Sequence, residues 1–91
     1  MSAWKGMNVA QVQKEGRDLD RIAGELKRIS GELDKEVREI DTNWNGEDSK
    51  KFVQEWEGEH KGKIEAAIRL LQDMSEKVER NARGQQDTSN A

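Results

Sequence analysis

The stretch Ile40-Asp41-Thr42-Asn43-Trp44-Asn45-Gly46-Glu47-Asp48-Ser49-Lys50-Lys51-Phe52 interrupts an otherwise continuous hydrophobic rhythm near the middle of the 91-residue chain. Between Ile40 and Phe52 the apolar spacing lapses into residues that form turns and helix caps. A turn is predicted over about 43–46. Asn45 and Gly46 are both candidate caps for a following helix, with Glu47 and Asp48 in its first turn, where negative charge suits the helix dipole.

Upstream of this turn, Val9, Val12, Gly16, Leu19, Ala23, Leu26, Ser30, Leu33, Val37, Ile40 and Trp44 recur with three-four spacing, an unbroken heptad pattern. Asn8 stands at the N-cap with Gln11 at capping-box distance, and Met7 and Val12 are placed to close a hydrophobic staple. A first helix over about 8–42 follows. Ile22 and Ile29 widen its stripe beyond a two-stranded seam, while Gly16, Ala23 and Ser30 form a small row that admits a closely packed neighbour.

Downstream, Phe52, Val53, Trp56, His60, Ile64, Ala67, Leu71, Met74 and Val78 share one side of a second helix over about 47–80, with Ile68 and Leu70 at its margins. Gly58 and Gly62 each weaken this helix by about 1 kcal/mol relative to Ala, so bending is expected in its first third. Residues 1–7 are read as a flexible N-terminus and the polar segment 81–91 as a disordered tail.

The fold class is therefore all-α, an antiparallel hairpin over 8–80. Each stripe is wider than one opposing helix covers, so the hairpin is expected to pair into a four-helix bundle as a dimer. The residues assigned to its core are Leu19, Leu26, Leu33, Val37, Ile40, Phe52, Trp56, Ile64, Leu71, Met74 and Val78.

Composition narrows the chemistry. Only 32% of residues are hydrophobic and 38% are charged, a balance of disordered or long-helix proteins, and the absence of Pro favours the helices. With no Cys and one His, neither a thiolate site nor a histidine metal cluster is expected. A net charge of −3 supplies no basic field for nucleic acid. The acidic residues alternate with Lys and Arg on polar faces, as solvated helix surfaces do, and no Gly-rich phosphate loop occurs. No catalytic residue, metal, cofactor or small-molecule substrate is expected. The N-terminal Met1-Ser2-Ala3-Trp4-Lys5-Gly6 has no apolar core of a signal peptide, so any export is expected to proceed without cleavage of one. His60, the polar member of the second stripe, reads as a hydrogen-bonded interface or rim residue, with a pH-sensitive or register-setting contact as the sharper alternative.

All three tryptophans occur as Trp-x-Gly, in Trp4-Lys5-Gly6, Trp44-Asn45-Gly46 and Trp56-Glu57-Gly58, and only the second lies at the mid-chain turn. Structurally, Trp44 would plug the bundle end against Phe52 or Trp56 while Gly46 permits the tight backbone; functionally, Trp44 would remain partly exposed for recognition. A chain of this length with Trp44-Asn45-Gly46 in a central turn between two amphipathic helices resembles the WXG family, early-secreted-antigen-like substrates of bacterial type VII secretion. The resemblance implies a homodimer or heterodimer with a second hairpin of this kind, recognition by the ATPase of the export machine, and residence in the cytoplasm before secretion. It also assigns Trp44, Asn45 and Gly46 to a turn and secretion-recognition motif. The family's export signal, a Tyr followed four residues later by Asp or Glu, has no counterpart because the sequence contains no Tyr. This chain therefore looks like the subunit of a pair that lacks the signal, the alternative being a signal of a different kind in the tail. The competing reading is a cytoplasmic coiled-coil adaptor without an export role, indifferent to Trp44 and Gly46.

Overall fold

The computed structural model describes residues 7–90, and their side chains through residue 85. Expectations for residues 1–6, including Trp4-Lys5-Gly6, and for Ala91 lie outside the described residues. The described chain is all-helical: α1 (Val9–Trp44), α2 (Glu47–Glu55), a π-helical turn (Trp56–His60) and α3 (Lys61–Asn90). The last three follow one another without a break and form the second arm of a hairpin 66 × 18 × 16 Å in extent.

Local chemistry fixes the ends of α1. The side chain of Asn8 accepts a hydrogen bond from the Gln11 amide at 3.2 Å, satisfying one of the free donors at the helix start. At the other end Asn45 turns into the left-handed region (φ 45°, ψ 59°), and its amide donates to the Asp41 carbonyl at 2.8 Å. Asn tolerates this conformation because its short polar side chain bears it at lower cost than other non-glycine residues.

The interhelical seam follows a seven-residue spacing. On α1 its centre is Gly16, Ala23, Ser30 and Val37, all buried. Opposite them lie Ser49, Trp56, Ile68 and Ala82, also buried. The helices approach most closely at Gly16, where an added Cβ would stand 3.0 Å from Val78 Cγ1, and the Ser75 hydroxyl donates to the Gly16 carbonyl at 2.8 Å. Only glycine leaves that space open without displacing Val78.

The π turn accounts for the frame of the second arm. Trp56 and Ile68 are twelve residues apart, and at about 100° per residue an unbroken α-helix would point them some 120° apart. The wider π turn absorbs one residue and returns both to the seam. It lies where Gly58 makes the helix weakest, in the first third of the arm.

Two expectations are corrected here. Ile68, placed at the margin, is 8% exposed and central to the seam, whereas Leu70 is 59% exposed. A single α-helical frame drawn from Phe52 to Val78 averages two frames that differ by one residue. The second helix also does not stop near residue 80. It continues to Asn90, and Ala82 is completely buried because the row Ile68, Ser75, Ala82 extends the seam along the start of α1.

Candidate recognition tip and partner-facing surface

The tip is built from the turn outward. Gly46 occupies the N-cap position of α2 in an extended conformation (φ −142°, ψ 179°) that any residue can adopt, and an added Cβ would meet only the Trp44 carbonyl oxygen at 4.0 Å. Gly46 therefore does not supply the tight backbone expected of it; Asn45 does. The Gly46 amide donates to Ser49 Oγ at 3.0 Å, and the Ser49 hydroxyl lies 2.8 Å from both Asp41 Oδ1 and the Gly46 carbonyl, the two acceptors available to its one proton. Ser49 is fully buried and ties both helices to the turn. Its sequence signal was its place seven residues before Trp56 in the seam and three after the cap.

Trp44 is 53% exposed at the end of α1, its ring tilted 53° against Phe52 with centroids 6.3 Å apart. The tip thus presents an aromatic pair, with Phe52 covering one side of the indole and solvent reaching the other. Trp56 takes no part in this pair. It is 7% exposed and its indole Nε1 donates to Asp34 Oδ1 at 3.0 Å.

Asp34 gathers a polar clasp between the arms. Besides Trp56 it accepts from Lys61 Nζ at 3.3 Å and from Arg38 Nε at 3.3 Å, and Arg38 in turn reaches Glu57 at 2.6 Å. Its carboxyl is held down to about 2, chiefly by the Trp56 hydrogen bond; partial burial opposes this, and Arg38 and Lys61 add to it. Neither Asp34 nor Lys61 was singled out in the sequence, because both stand beside the apolar rows rather than within them.

The remaining assigned core residues divide by depth. Val37 and Trp56 are buried; Leu19, Leu26, Ile40, Ile64, Leu71 and Val78 are half-buried; Leu33, Phe52 and Met74 are exposed. Helical phase puts the half-buried and exposed members, together with Ile22 and Ile29, on one face of the hairpin. The Asp34 clasp lies toward the opposite face. The apolar stripe is therefore only partly covered by the chain itself.

His60 lies on that apolar face between Phe52 and Ile64, half-exposed, with its Nε2 3.8 Å from Glu55. Glu55, Glu59 and His60 bring three possible ligand atoms within 4.8 Å of one another. All three side chains are exposed, and such groups are common on charged helices without an ion.

A two-arm helical hairpin with a partly covered apolar face and an exposed Trp at a Trp-x-Gly tip is the architecture of a small helical interaction protein. The chain matches the family model described as WXG100, proteins of 100 residues with WXG, over residues 6–89, and it belongs to that family. Membership makes it a small helical protein associated with type VII secretion, and the family is one of secreted helical proteins rather than known enzymes. No curated protein and no solved structure was found to match. Among the described residues no helix is long and apolar enough to cross a membrane.

Proposed function

We propose that this chain is a non-enzymatic substrate or co-secreted partner chaperone of a type VII secretion system. It acts as one hairpin of a dimeric four-helix bundle. The partly covered apolar face supports the pairing, since the surface its large side chains leave in water forfeits about 25 cal/mol per Å² that a second hairpin would bury.

One observation carries the export role. Trp44 is held by Asn45, Phe52 and the Ser49–Asp41 contacts at the end of a long rod, yet half of its surface remains free. On this reading the free half, displayed by Trp44-Asn45-Gly46, completes a composite signal with the partner subunit, which supplies the Tyr-containing motif absent from this sequence. The pair is then recognised by the secretion ATPase.

Trp44→Ala tests the reading. The variant is expected to keep its partner and most of its melting temperature while the pair disappears from the culture medium. Trp56→Ala, which removes a buried ring and a donor to Asp34, is expected to perturb folding more. Undiminished export of a well-folded Trp44→Ala pair would leave a helical adaptor whose tip has no role in secretion.

A further inference from the structure

The charges bordering the apolar face are of one sign on α1 and mixed on the second arm. On α1, counting from the seam residues Gly16, Ala23, Ser30 and Val37, the position two residues later is Asp18, Glu25, Glu32 and Glu39. Each stands on the outer edge of the apolar face, just beyond Ile22 and Ile29. The edge is acidic along its whole length. Basic residues of α1 pair with it from the back of the helix, in Lys14–Asp18 at 3.0 Å, Arg21–Glu25 at 2.7 Å and Arg28–Glu32 at 2.6 Å, so the carboxylates remain the charges nearest a partner.

A second copy of the chain complements this edge fully in neither face-to-face orientation. With the tips at opposite ends, α1 lies over α1 of the other copy and the carboxylate rows oppose each other. With the tips together and the hairpins flush, α1 lies over the other copy's second arm, whose levels are set by the Gly16–Ser75 and Arg38–Glu57 contacts. Asp18 then meets Lys77 and Glu32 meets Lys63, but Glu25 meets Leu70 and Glu39 meets Glu55, so the row is only half matched.

We infer that the acidic edge of α1 is a partner-selecting surface, fitted to a second hairpin of different sequence whose facing helix carries a row of Lys or Arg. Edge charges of this kind choose among partners that bury the same apolar face equally well, because they oppose a wrong neighbour as well as attracting a right one. The inference rests on the paired-bundle reading and adds the identity class of the partner to it.

The chain can supply its own surrogate partner. A variant carrying Asp18→Lys, Glu25→Lys, Glu32→Lys and Glu39→Lys, mixed with the wild-type chain at about 50 mM salt, is expected to form a 1:1 complex at least about tenfold tighter than wild-type self-association. At about 500 mM salt, where screening shortens the reach of charges to a few ångströms, that difference should vanish. A neutral variant, Asp18→Asn, Glu25→Gln, Glu32→Gln and Glu39→Gln, should self-associate more tightly than wild type at low salt, which keeps the test valid if the lysine variant fails to fold. Sedimentation equilibrium reads all three. Tight, salt-insensitive self-association of the wild type would overturn the selecting edge and make a second copy the occupant, leaving the bundle intact. Cooperative melting of wild type, mixture and neutral variant as monomers would overturn the bundle reading, and this inference with it.

Discussion

Asp34 receives hydrogen bonds from Trp56 and Lys61 on the second arm and from Arg38 on its own helix, so one carboxylate joins the two arms at one level. Its folded-state pKa of about 2 lies below the ordinary value of 3.8. Between these values the unfolded chain binds more protons than the folded one, so the stability that Asp34 contributes is complete above about pH 4 and is lost as pH falls toward 2. Asp34→Asn should remove that part of the acid sensitivity, flattening the melting-temperature profile between about pH 4 and 2 relative to wild type. An unchanged profile would mean that the clasp does not hold in solution. Gly46 carries a different lesson. The motif's glycine was the natural candidate for strained backbone, yet Asn45 carries the positive φ and a side chain at position 46 would fit.

At the level of elements, the π turn inserts one residue into an otherwise regular seven-residue frame. Deleting a residue from a packed helix ordinarily rotates everything beyond it by about 100° and destroys the packing. Here the opposite is expected. Removing Gly58 leaves Trp56 and Ile68 eleven residues apart, about 20° from alignment in a continuous α-helix, so the arm can become regular and keep both in the seam. The deletion variant should melt cooperatively within a few degrees of wild type, whereas deletion of Glu25, in the uninterrupted α1, should lower the melting temperature severely. Circular dichroism of both variants decides it. If the Gly58 deletion unfolds the chain, the turn is doing more than absorbing a residue.

For the whole molecule, a rod 18 × 16 Å in section has little interior, and the buried positions are dominated by small residues such as Gly16, Ala23, Ser30, Ser49 and Ala82. Close helix approach thus uses the seam, while the large aliphatic side chains gather on the open face. A further part of the apolar stabilisation is then available only after pairing. The melting temperature of the chain alone should accordingly be low or rise with concentration, and that of the pair should fall markedly with Leu26→Ala. That truncation is expected to cost about 2 to 5 kcal/mol in the paired state, measured by denaturant unfolding. A cost below about 0.5 kcal/mol would show that the face is not packed.

Two long helices, their caps at Asn8 and near Gly46, and the broad stripe of α1 were legible in the amino-acid sequence because each depends on contacts within a few residues. The Trp44-Asn45-Gly46 turn was legible for the same reason, and with it the family. Tertiary structure decided the phase of the second arm. The π turn near Gly58 brings Trp56 and Ile68 to one seam against α1, where Trp56 and Lys61 also reach Asp34, more than twenty residues away in sequence. That phase brought Ile68 inward and left Leu70 in solvent. It was likewise the presence of α1 beside residue 82 that carried α3 past the point where its own hydrophobic period ended, since a buried Ala gains its stabilisation from the neighbouring helix and announces nothing in its own sequence.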